Sequence, residues 1–317
     1  MKSVVLFHKN CPDGYGALSG VVYKLGISEL LYDEERDLLY TQDESFFAIP
    51  TTHSTDFSRL KEILTSYTSY SFTLYMVDFF ALGIYEVLKE HANLKKLIVI
   101  DHHKTSEELL NQGIPPEIKD RIEIHIDHNH SAAVLVWKVL NGFVPEVIKY
   151  IEDRDIWKWE FPDSKFVLTA LDAKVFNLLK PDQIIKKLLE IVEDFPKEEL
   201  AREGRAMIEF KESVISLLLK NNLHYIVLPS GHKLLAVNSP SFQSEIGNEI
   251  AKISPDGVGC VYTISPNEQG VFVRCSIRSI NGKAREIAQA NGGGGHDNAS
   301  GCRVLLSEVK FEPLEKS

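Results

Sequence analysis

Short apolar runs, many of them β-branched, alternate with segments of helical period through the first half of the chain. Val4-Val5-Leu6-Phe7, residues 72–77 and Leu97-Ile98-Val99-Ile100 read as strands, and 17–25 and 84–91 read as helices. Strands that are apolar on both sides and alternate with helices imply a parallel sheet covered on both faces. In such a sheet the ligand site lies outside the carboxyl ends of the strands, where loops and helix N-termini converge. The residues directly after each strand are therefore where chemistry is expected.

Residues 182–222 read as mostly helical, with an interruption at Phe195-Pro196. From Tyr225 the pattern changes to strands over 225–228, 234–237, 258–264, 271–277 and 303–306, with a helix over 284–290. The expected architecture is α/β: a parallel-sheet domain over 1–180, a helical linker over 181–223 and a smaller α+β domain over 224–317.

Charge changes this picture in one respect. The 317 residues hold 45 acidic and 35 basic side chains, a formal charge of −10, and residues 1–170 alone hold 26 acidic and 17 basic ones. An acidic first half argues against a binder of long duplex nucleic acid. No apolar run reaches the roughly 18 residues of a membrane span, and the opening stretch turns polar too early for a secretory leader. Cys11, Cys260, Cys275 and Cys302 have neither disulfide-framework density nor a CxxC spacing. A soluble cytoplasmic protein is the expectation.

The strand ends are rich in metal-ligand chemistry. The first strand runs into His8-Lys9-Asn10-Cys11-Pro12-Asp13-Gly14, the second into Asp78, and the third into Asp101-His102-His103. Hard carboxylate oxygens beside imidazole nitrogens suit Mn²⁺ or Mg²⁺, and Cys11 keeps zinc open. Glu152-Asp153-Arg154-Asp155-Ile156-Trp157-Lys158-Trp159 offers two further carboxylates, and out of context it reads as a charged helix end packed by tryptophans. Five or six such ligands with a shared carboxylate can hold two ions, the arrangement that activates water against phosphorus.

Near the end of the chain, Asn291-Gly292-Gly293-Gly294-Gly295-His296 follows the last expected helix. Consecutive glycines expose backbone N–H groups as an anion nest, with His296 as a donor beside it and Arg278 able to take phosphate bidentately.

In this order the pieces resemble the DHH phosphoesterase superfamily with a C-terminal DHHA1 domain. The matching residues are His8, Asp13-Gly14, Asp78, Asp101-His102-His103, Asp153 and the run Gly292 to His296, spread over nearly the whole chain. The resemblance implies a two-manganese hydrolase using metal-activated water. His8 and Asp78 would bind one ion, and Asp13, Asp78, His102 and Asp153 the other, with Asp78 bridging. Asp101 would orient the histidines, His103 would contact the scissile phosphate or its leaving group, and Arg278, Gly293, Gly294, Gly295 and His296 would bind substrate. Cys11 stands where the family usually has an aspartate, either as a softer ligand or as a position that weakens the first site. Asp153 is preferred to Asp155 because the family's aromatic lies four residues past its motif aspartate, as Trp157 does here.

The function so expected is Mn²⁺-dependent hydrolysis of short RNA oligonucleotides or dinucleotides, as in the nanoRNase branch; the sequence does not encode an oligomeric state, for which a homodimer is the general prior. A phosphatase for 3′-phosphoadenosine 5′-phosphate and a cyclic-dinucleotide phosphodiesterase need the same parts. A non-catalytic nucleotide sensor is the reading from another class.

Overall fold

The apolar runs become strands where both faces of a sheet are covered. In the computed structural model, which describes residues 1–52 and 56–314, the chain divides into two compact units, Met1–Met207 and Ile208–Ser317. The first contains a seven-stranded sheet made of β1 (Lys2–His8), β2 (Leu31–Asp33), β3 (Leu38–Tyr40), β4 (Phe46–Thr51), β5 (Phe72–Val77), β6 (Leu94–Asp101) and β7 (Ile122–Ile126), in the order β2-β3-β4-β1-β5-β6-β7. The run β4-β1-β5-β6-β7 is parallel, and β2 and β3 continue it antiparallel.

Alternation along each strand sorts the core into two layers. Val5 and Phe7 of β1, Tyr75 and Val77 of β5, and Ile98 and Ile100 of β6 pack with Leu18, Val21, Trp137 and Ile148 from the helices of one face. Val4, Leu6, Leu74, Met76, Leu97 and Val99 pack with Leu60, Ile63 and Leu88 on the other. Burying each such side chain stabilises the unit by about 1.5–3 kcal/mol. Periodicity in the sequence misses β2, β3, β4 and β7 of this sheet. Pro50 within Phe46–Thr51 argues against a strand there, yet it lies past the pairing with β3, where no ladder donor is required.

The helices Pro181–Glu193 and Lys197–Asn222 break at Phe195-Pro196. The first of them buries Ile184, Ile185, Leu188 and Ile191 in the core of the first unit.

The second unit contains another seven-stranded sheet: β8 (His224–Val227), β9 (Lys233–Asn238), β10 (Val258–Asn267), β11 (Gly270–Ser279), β12 (Gly294–His296), β13 (Ala299–Leu305) and β14 (Lys310–Pro313), in the order β12-β13-β11-β10-β9-β8-β14. One face buries Ile226, Leu234, Val258, Val273, Ile277 and Ile287, and the helix Gln243–Ile253 covers part of the other. Among the described residues no helix is long and apolar enough to cross a membrane.

Candidate metal centre

The parallel strands run outward in opposite directions from β1, with β4 on one side and β5 on the other. That reversal opens a crevice at the carboxyl ends of β1 and β5. His8 closes β1 and Asp78 directly follows β5, and His8 Nδ1 lies 3.5 Å from Asp78 Oδ2. Asp78 takes a left-handed conformation, φ 64°, which aspartate tolerates better than most residues, while its N–H donates to Ile100 O at 3.1 Å.

After β1 the helix Pro12–Lys24 begins with proline in its first turn. A Cβ at Gly14 would lie 2.1 Å from His8 O, so only glycine lets the helix start pass this close to the strand end. The turn places Asp13 at 1% exposure, where its carboxylate accepts hydrogen bonds from Ala132 N at 2.8 Å and Ala133 N at 3.0 Å. Those amides open the helix Ala132–Val136, which Ser131 caps by accepting from Val134 N. A helix N-terminus thus holds the carboxylate.

β6 ends on Asp101, which is fully buried. Its Oδ1 accepts from His102 N at 2.7 Å and His103 N at 3.3 Å, and it lies 2.8 Å from His103 Nδ1. His102 Nε2 is the hub of the cluster: Asp78 Oδ1 is 3.4 Å away, Asp155 Oδ2 3.5 Å and Asp13 Oδ2 3.8 Å. Three sets of candidate ligand atoms each fall within 4.8 Å of one another: Asp78 with Asp101, His102 and His103; His8 with Cys11 and Asp78; and Asp13 with His102 and Asp155. Asp78 belongs to two of these sets.

The electrostatics are those of carboxylates crowded out of water. Burial, then the charges of Asp78 and Asp155, push Asp13 well up. Burial and Asp78 also raise Asp155. Burial opposes ionisation of Asp78 as well, but the imidazoles of His102 and His8 close beside it outweigh that and hold Asp78 low. For His102 burial disfavours the charge, yet the bond to Asp78 and the charges of Asp13 and Asp155 push it up to about 9. Burial, then Asp78, raise the Cys11 thiol to about 12. Asp78 Oδ2, Asp101 Oδ2 and Asp155 Oδ2 are buried without a hydrogen-bond partner among the described residues. Orphaned carboxylate oxygens beside imidazoles fit a hard divalent cation, which would supply the missing partner.

The structure brings His8, Cys11, Asp13, Asp78, Asp101, His102 and His103 together, and corrects the choice between the two later aspartates. Asp155 faces His102, whereas Asp153 accepts from Glu160 N at 2.7 Å and Phe161 N at 3.4 Å. Positions two apart on a helix point in nearly opposite directions, so only one of the pair could face the centre. The aromatic spacing favours Asp153, whose carboxylate is taken up by the amides of Glu160 and Phe161 instead. The tryptophans do not pack the helix end either: Trp157 is 77% and Trp159 40% exposed. Ser131 and the amides of Ala132 and Ala133, which fix Asp13, are visible in sequence only as a helix start.

In the second unit the glycine run is not an open nest. Gly292 N donates to Gln289 O at 3.1 Å and Gly293 N to Ala288 O at 2.8 Å, ending the helix Ala284–Gln289, and Gly294 to His296 form the edge strand β12. His296 pairs with Ala299, which pairs with Arg278, so the two side chains stand in one row of the sheet, two strands apart. Arg278 donates through Nη2 to Ser244 Oγ at 2.8 Å.

No protein-family model matches the chain. It is 28% identical over 329 residues to the uncharacterized protein R106 of Acanthamoeba polyphaga mimivirus, covering 99% of this chain and 70% of the relative. It is 26% identical over 225 residues to oligoribonuclease NrnB of Bacillus subtilis (strain 168), covering 66% of this chain and 53% of NrnB, so it spans about half of that relative's length. A solved DHH domain, from a member of a family of ribosomal proteins, aligns over 98% of this chain and 83% of its own, with 16% identity and a TM-score of 0.48. The Asp101-His102-His103 run, with His8, Asp13 and Asp78 converging on one buried centre, is similar to the motif set of the DHH phosphoesterases, and the chain has sequence relatives along most of its length, NrnB among them.

Proposed function

We propose that the chain is a Mn²⁺-dependent phosphodiesterase of short oligonucleotides or dinucleotides. The observation that carries this reading is the cluster around His102, in which buried carboxylate oxygens lacking partners among the described residues meet imidazole nitrogens at the switch point of the sheet. A bound divalent ion supplies a water of lowered pKa and electrophilic stabilisation at phosphorus. Asp13, Asp78, His102 and Asp155 are the residues to hold one ion, and His8, Cys11 and Asp78 a second. Asp101 fixes the tautomer of His103 by occupying Nδ1, which leaves Nε2 to meet a phosphate oxygen or the leaving oxygen. Similarity to NrnB, an oligoribonuclease, supports the oligonucleotide substrate.

In this reading the first unit is the DHH domain and the second the substrate-binding DHHA1 domain. Beside Arg278 and His296 the second unit has a cavity of about 930 Å³ lined by Arg274, Arg303, Gln243, Ser276 and glycines, with no carboxylate in its wall among the described residues. Such a wall suits an anion. The test is turnover, with manganese, of a panel comprising two- to five-nucleotide RNAs, linear and cyclic dinucleotides and 3′-phosphoadenosine 5′-phosphate. Hydrolysis of the short RNAs ahead of the rest is expected. Binding without hydrolysis of any of them would replace the enzyme with a sensor.

A further inference from the structure

Two of the chain's three tryptophans, Trp157 and Trp159, are exposed and held in conformations that bulky residues avoid. Their φ angles are 56° and 51°, and their rings meet edge to face with centroids 5.7 Å apart. The backbone that imposes this is pinned on every side. Trp157 N donates to Arg154 O and Trp159 N to Asp153 O, both at 3.1 Å, and the buried Asp153 carboxylate takes Glu160 N and Phe161 N. Lys158, between the rings, reaches back to Glu152 Oε1 at 2.6 Å, and Glu152 also accepts from Ser131 N at 3.0 Å. Arg154 grips Asp172 through two bonds, at 2.7 and 3.0 Å. Asp155, which faces His102, precedes Trp157 by two residues, so their Cα atoms lie within about 7 Å.

A fold that holds two strained, solvent-facing indoles rigidly beside a phosphodiester-cleaving centre has prepared apolar π-faces for a ligand. We propose that Trp157 and Trp159 form a stacking platform for a nucleobase of the nucleotide whose phosphate is cleaved. The inference rests on the phosphodiesterase reading above and adds to it what recognises the base. Stacking is indifferent to base identity, since every base has a π-face, so the platform reads the presence of a base and not the sequence. Because the backbone under both rings is already held, little main-chain freedom is lost when a base docks.

Intrinsic fluorescence provides a readout independent of catalysis, since Trp137 is fully buried and the other two tryptophans are the exposed emitters. With calcium in place of manganese, diadenylate should quench the emission of the full chain and ribose 5-phosphate should not. With manganese, Trp157→Ala or Trp159→Ala should raise KM for diadenylate roughly 5- to 100-fold. The advantage of diadenylate over an abasic phosphodiester should shrink correspondingly. Trp157→Phe, which retains a ring, should restore most of the affinity, and circular dichroism identifies any variant that fails to fold. If the wild type hydrolyses nothing yet is quenched by diadenylate, the platform stands and the phosphodiesterase reading falls. If hydrolysis is present but quenching is absent and KM is unmoved in both alanine variants, the platform is overturned. It is overturned equally if these variants turn a dimer into a monomer on sedimentation with KM unchanged, which makes the pair a contact between copies.

Discussion

Asp101 Oδ1 lies 2.8 Å from His103 Nδ1 while Asp101 Oδ2 is buried with no hydrogen-bond partner among the described residues. One carboxylate thus orients an imidazole with one oxygen and keeps the other for a partner that the described residues do not provide. The bond to Asp101 is the largest influence raising His103. Its stabilising effect is complete below the ordinary histidine value and is lost as pH rises through the raised one. Asp101→Asn should lower the His103 midpoint in metal-free protein, followed by NMR, and should reduce turnover at least tenfold.

Asp78 belongs to two ligand sets, so its removal should disable both. Asp78→Ala is expected to abolish metal binding by calorimetry and to reduce turnover by three orders of magnitude or more. His296→Ala, in the second unit, should mainly raise KM. Unchanged turnover in the first variant would sink the metal assignment.

Asp153 and Asp155 should separate cleanly. Asp155 is raised by burial above all, so its ionised form destabilises the metal-free fold at neutral pH, increasingly as pH climbs past the ordinary carboxylate range. Asp155→Asn should therefore raise the metal-free Tm while weakening metal binding. Asp153→Ala strips two amides of their acceptor and should cost about 1–3 kcal/mol in a denaturant melt.

Metal binding should release protons. His102 holds its proton up to about 9 in the metal-free protein, and a ligand imidazole must give it up. The logarithm of the affinity should rise by about one per pH unit between pH 7 and 9 for each proton displaced. Calorimetry in buffers of different ionisation enthalpy counts those protons; an affinity flat with pH over this range argues that His102 is not a ligand.

In the metal-free protein burial and Asp78 hold the Cys11 thiol up at about 12, and sulfur is a softer ligand than a hard ion prefers. Cys11→Asp should increase manganese stoichiometry and activity and lower the metal-free Tm by adding a carboxylate beside Asp78. A drop in activity instead would mark the thiol as a ligand in its own right.

Much of this centre is legible in the sequence because its residues directly follow apolar strands: His8 after Val4 to Phe7, Asp78 after Val77, and Asp101 at the end of Leu97 to Ile100. Periodicity locates a strand end, and a strand end in such a sheet locates chemistry. What stays hidden depends on packing. The choice of Asp155 over Asp153 is set by which face of the helix Glu146–Asp155 packs against the helices Pro12–Lys24 and Ala132–Val136, and nothing local encodes that. The Asp13 clasp requires amides more than a hundred positions away. The glycine run reads as an anion nest because a helix end and an edge strand both use glycine too, one for its positive φ and one for close approach to β13.

The clasp of Asp13 by Ala132 and Ala133 spans 119 residues. A contact so distant along the chain closes a large loop, and topologies rich in such contacts fold slowly. The centre therefore cannot exist in a partly made first unit: Asp13 has no counterpart until β1, β5 and β6 are side by side and the helix after β7 has docked. An ion that binds only the finished arrangement stabilises the whole unit by mass action, so divalent metal should protect the first unit from proteolysis during refolding only at the last step. Activity and foldedness of the first unit would then rise together.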